Sequence, residues 1–120
     1  MAPYFFDWIT HRTDGPYWQQ WAPQRYYPKI TIPVLNIEGW YDAFLDGGVR
    51  NFTGMVSAGE TAFARNNQRI VIGPWGHLGW GRPDSPAAPM LKQIRPVGNS
   101  PVNELMLAWW DHFLKGVDNG

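Results

Sequence analysis

Cysteine is absent from these 120 residues, which excludes a disulfide framework, a thiolate nucleophile and a thiolate metal site while leaving either side of a membrane open as a compartment. Charge is scarce as well: Asp, Glu, Lys and Arg make up 17% of the chain and cancel to a net charge of zero. Electrostatic attraction to nucleic acid or to an anionic membrane is therefore not expected. No apolar run approaches a membrane span, and the first eight residues lack the basic stretch and long apolar core of a secretory leader. These absences describe a soluble chain, more naturally cytoplasmic, of one modest domain's length or part of one.

What the chain has in excess is aromatic surface, with Phe, Trp and Tyr at 16% and eight tryptophans. A domain this small buries a limited share of its surface, so many rings would stay partly exposed unless a neighbour covered them. Stacking of the tryptophans on sugar rings or peptide prolines is one use for such surface; core and interdomain packing is the plainer one.

Periodicity organises the rest. Phe5 to Trp21 shows no strand alternation and is expected to be loop with one short helix around Tyr17 to Trp21. Ile32, Val34, Leu35 and Ile37 form a short apolar run closed by Gly39, with Pro33 tolerable at its start, which predicts a buried strand. Phe44, Leu45, Val49, Phe52, Met55 and Val56 recur at helical spacing, and Gly47, Gly48 and Gly54 among them point to close packing rather than high helix propensity. Ile70-Val71-Ile72, ending on Gly73-Pro74, predicts a second strand. Strand, helix, strand is a parallel βαβ unit with a right-handed crossover, so the fold class is α/β. Two parallel strands ordinarily belong to a larger covered sheet, so further strands are expected beyond those this sequence supplies. Gly79 to Gly98 reads as a long surface connection. A final helix follows, with Ser100 as its cap, Pro101 at its first position and a stripe of Val102, Leu105, Met106, Trp109 and Phe113; Leu107, Trp110 and Leu114 widen that face, and Gly116 stops the helix.

Chemistry-bearing residues collect where the strands end, as ligand-handling residues do in open parallel sheets. The first strand runs into Gly39-Trp40-Tyr41-Asp42-Ala43-Phe44 and the second into Gly73-Pro74-Trp75-Gly76-His77. A carboxylate that holds one nitrogen of an imidazole leaves the other free to take a proton from a hydroxyl, as acyl transfer requires. Taken singly, Asp42 could equally be a turn former or helix cap, and His77 a structural histidine. His11 and His112 have no comparable setting. No short His-x-x-x-His spacing occurs, so no metal site and no cofactor are expected.

These two segments resemble the cocaine-esterase and Xaa-Pro dipeptidyl-peptidase-like group of α/β-hydrolases. Tyr17-Trp18, Ile32-Pro33-Val34-Leu35 and Trp109-Trp110-Asp111-His112-Phe113-Leu114-Lys115-Gly116 extend the likeness over nearly the whole chain. The resemblance implies that Asp42 is the acid and His77 the base of a Ser-His-Asp triad, and that Phe44, with Trp40, lines the acyl site. It also implies that residues 1–28 are the end of a cap region with its lead-in, and residues 29–120 the C-terminal part of the catalytic domain. The nucleophile elbow of that fold, G-x-S-x-G upstream of the acid, does not occur: the serines are Ser57, Ser85 and Ser100, and Ser100 is better explained as a cap. Nucleophile, oxyanion hole, early strands and a jelly-roll domain would all lie elsewhere. The expectation is a hydrolase fragment, inactive alone and dependent on the missing N-terminal part. Its complete parent would act on a small ester, a β-lactam-type acyl group or an Xaa-Pro peptide. The contrasting expectation is a non-catalytic binding or assembly piece that uses its exposed rings and strand edges.

Overall fold

The computed structural model describes residues 2–77 and 100–119. Its centre is a pair of parallel strands, β1 (Val34–Gly39) and β2 (Gln68–Gly73), in the register Val34↔Gln68 through Gly39↔Gly73. Both predicted strands are present but are mostly half-buried rather than buried, Ile32 lies exposed ahead of β1, and β2 begins two residues earlier than its apolar run because Gln68 and Arg69 continue the ladder. Helix α3 (Leu45–Ala58) and the short α4 (Ala62–Asn66) connect them. The sequence reading did not separate α4. Its start is fixed by Thr61, whose hydroxyl accepts the Ala64 N–H at 3.0 Å, a capping bond that satisfies one of the helix's free first-turn donors.

Strand alternation sends Glu38 to the face covered by α3 and Leu35 to the opposite face, beneath α5 (Val102–Lys115). The α3 face is closely packed. Gly54 sits against the ring of Tyr27, which is buried and donates its hydroxyl hydrogen to Asn51 Oδ1 at 2.7 Å, so a 3-10 turn at Tyr27–Lys29 is pinned to the helix. The α5 face is looser, with a groove of about 390 Å³ between Leu35, Val71 and Arg69 on one side and Trp109 and Phe113 on the other. Only Val102 of α5 is fully buried, while Leu107, Trp110 and Leu114 face outward. Gly116 ends α5 in the left-handed region (φ 72°), as its sequence position suggested.

Two local expectations need correction. The N-terminal segment contains a helix, α1 (Tyr4–Thr10), before the anticipated turn of helix, α2 (Pro16–Gln19). α1 buries none of its residues, so it carries no core-facing stripe for periodicity to reveal; ring contacts such as Tyr4–Trp8 (4.7 Å between centroids) and Trp8–Trp18 (6.1 Å) accompany it. At the other end Pro101, not Ser100, is the residue flanking α5, and the Ser100 hydroxyl accepts the Val102 N–H at 3.3 Å from one position further out. The connection expected at Gly79 to Gly98 lies outside the described residues.

Candidate active site

The final rung of the ladder, Gly39↔Gly73, puts the two strand ends level, and the chain beyond keeps them together. The Trp40 N–H donates to the Gly73 carbonyl at 2.9 Å and the Tyr41 N–H to the Trp75 carbonyl at 3.1 Å. Neither glycine has room for a side chain. A Cβ on Gly39 would strike the Trp75 carbonyl, and one on Gly73 would strike the Trp75 indole, which lies buried across the strand ends.

That clasp delivers Asp42 and His77 to each other. Asp42 turns back immediately, its N–H donating to the Gly39 carbonyl at 3.0 Å, and its two carboxylate oxygens take separate partners. Oδ1 accepts the Phe44 N–H at 2.8 Å, and Oδ2 lies 3.0 Å from His77 Nδ1. Asp42 is therefore a turn former through Oδ1 and the partner of His77 through Oδ2, and it is not the cap of α3, whose flanking residue is Phe44. The carboxylate is 6% exposed and the imidazole 62%, so the buried partner fixes the ring while the ring faces solvent. Phe44 meets the imidazole edge-on at 4.9 Å between centroids.

Asp42, His77 and Phe44 share a cavity of about 270 Å³ with Glu38 and Trp75. Trp40 is not among its lining residues; its ring is exposed. The sequence reading did not single out Glu38 or Trp75, although a lone acid inside an apolar strand run was visible as an irregularity. Burial pushes the Glu38 carboxyl above its ordinary value, the negative charge of Asp42 adds to the rise, and His77 opposes it.

The other sequence candidates stay apart from this cavity. His11 stacks on Tyr17 at 4.0 Å, and its Nδ1 lies 2.7 Å from the Asp7 carbonyl; His112 Nδ1 lies 3.0 Å from the Val117 carbonyl. Ser57 donates its hydroxyl to the Thr53 carbonyl at 2.9 Å and Ser100 serves α5, while Ser85 lies outside the described residues. Among the described residues no three His, Asp or Glu side chains are grouped to hold a metal ion, and no helix is long and apolar enough to cross a membrane.

Comparison with known proteins agrees on one family. The family model described as X-Pro dipeptidyl-peptidase (S15 family) matches residues 2–79, a stretch that includes both strands and the Asp42–His77 pair. Cocaine esterase of Rhodococcus sp. (strain MB1 Bresler) is 30% identical over 78 residues, which is 64% of this chain and 12% of that protein's length. No solved structure matches.

Proposed function

The chain belongs to the X-Pro dipeptidyl-peptidase (S15) family, and from that premise we propose that Asp42 and His77 are the acid and base of a serine hydrolase whose nucleophile lies outside these 120 residues. In this reading residues 29–120 are the C-terminal part of an α/β-hydrolase core, and residues 1–28 are the segment leading into it from a cap. The observation that carries the proposal is the 3.0 Å contact between Asp42 Oδ2 and His77 Nδ1 at the level ends of two parallel strands. With a proton on Nδ1, donated to the buried carboxylate, His77 presents Nε2 as the free base.

The chemistry follows from that tautomer. A serine hydroxyl gives its proton to Nε2 as its oxygen attacks the substrate carbonyl, and the imidazolium so formed is stabilised by the Asp42 carboxylate. Collapse of the tetrahedral adduct returns that proton to the departing alcohol or amine and leaves an acyl-enzyme. Water then repeats the cycle and releases the acid. Phe44, edge-on to the imidazole, walls the acyl side of the site. The substrate class is a carboxylic ester or amide, including the Xaa-Pro peptides for which the family is described.

Hydrolysis of a p-nitrophenyl ester and of an Xaa-Pro p-nitroanilide, by this chain and by a longer protein that includes the preceding coding sequence, tests the proposal. The longer protein is expected to turn over at least one substrate, with a loss of roughly 10³-fold or more for His77→Ala. The 120-residue chain is expected to be silent on both. Turnover by the short chain that depends on His77 would show that a nucleophile lies within it.

A further inference from the structure

Glu38 lies between Ile37 and Gly39 near the end of β1, and glycine at the facing position of α3 leaves room for its side chain. Its side chain lies against the backbone of Gly48 in the opening turns of α3, where a Cβ on Gly48 would collide with the carboxyl oxygen and carbon. The same side chain lines the cavity that holds Asp42 and His77. From this placement we infer that Glu38 is a positioning residue for the Asp42–His77 pair, a second carboxylate behind the first whose charge sets how firmly the imidazole holds its proton. The inference rests on the pairing proposed above and extends it.

Among the described residues the other charged groups take partners elsewhere or face solvent. On α3, Asp46 and Arg50 pair with each other at 2.8 Å on the solvent side, both more than two-thirds exposed. Arg69 stands at the far end of β2 and donates to the Asn66 and Gln68 carbonyls, and Arg65 of α4 donates to those of Gly59 and Glu60. On α5, Asp111 and Lys115 pair at 2.6 Å, Glu104 is exposed and His112 is held near Val117. Among the described residues, Asp42 and His77 share a cavity with Glu38, whose carboxyl is raised by burial and by the Asp42 charge and lowered by His77. An ionised Glu38 favours the imidazolium, as a neutral Glu38 does not.

The test is the titration of His77 in the full 120-residue chain, followed through its imidazole nitrogens by NMR, with amide dispersion confirming the fold of each variant. Glu38→Gln is expected to lower the His77 midpoint by roughly half a pH unit, the effect of losing one nearby negative charge in a partly solvated site. Glu38→Asp should recover most of that drop, whereas Asp46→Asn, which removes the same charge from the outer side of α3, should leave the midpoint in place. A midpoint that falls with Asp42→Asn but not with Glu38→Gln overturns the role of Glu38 and spares the pair. A midpoint indifferent to both overturns the pair itself. The unmutated chain offers a check that needs no variant to fold: the Glu38 carboxyl carbon should show a second inflection at the His77 midpoint, and a single inflection would refute the coupling.

Discussion

Asp42 shows how much one carboxylate can settle when its two oxygens have different duties, one closing the turn into α3 at Phe44 and the other meeting His77. Gly39 matters at the same scale for what it lacks. Adding a methyl group there drives it into the Trp75 carbonyl, a backbone atom with little freedom to retreat. Gly39→Ala is expected to cost about 1–3 kcal/mol in urea denaturation, the usual range for overpacking, and to separate His77 from Asp42 so that its titration no longer responds to Asp42→Asn. Glu38 makes a prediction with the opposite sign. Its carboxyl is raised in the folded chain, so between the ordinary carboxylate value and the raised one the folded state binds more protons than the unfolded, and stability declines as pH rises through that window. Glu38→Gln should therefore raise the melting temperature at neutral pH and leave it unchanged in acid below the ordinary carboxylate range. Equal gains at both would assign the effect to packing rather than to charge. The pair itself was legible from sequence because each residue follows a strand of recognisable pattern. Glu38 and Trp75 were not, since their importance lies in what their side chains touch across the sheet rather than in spacing along the chain.

Among the elements, those with a regular apolar pattern and clear terminators could be read directly. β1, β2 and α3 fall where their apolar periodicity put them, and α5 ends at the glycine that suggested its stop. Gly116 should resist replacement for the same reason: an alanine forced to φ 72° is expected to lose about 1 kcal/mol, seen as fraying of the last turn of α5 in amide exchange. α1 and α4 escaped because neither advertises itself. α1 has no buried residue, and α4 is five residues long, held by the Thr61 cap and by a single wholly buried side chain, Ala64. Elements this short draw their stability from contacts that pattern alone does not record. Thr61→Ala is expected to cost about 1 kcal/mol in the same denaturation measurement, with the loss confined to the crossover and the His77 titration unaffected.

At the scale of the whole molecule, the described residues leave much apolar surface in solvent. Among the described residues the large buried apolar side chains are Tyr27, Met55, Trp75 and Val102. Trp21, Ile32, Trp110 and Leu114 are among the apolar groups left in solvent. In isolation it should bind an apolar dye and associate with rising concentration in size-exclusion chromatography; a dye-silent monomer at all concentrations would show that these rings need no cover. The aromatic excess of the sequence announced this exposure, though not which rings would bear it. One further consequence belongs to the rung Gly39↔Gly73. The ladder, not the length of the crossover, sets the distance between the two strand ends, whereas the residues between α3 and α4 are tied down on their own account: Gly59 is buried, the Glu60 N–H donates to the Ile30 carbonyl at 2.9 Å and Arg65 donates to the Gly59 and Glu60 carbonyls. A change of length at that joint is thus expected to cost stability before it moves the acid from the base.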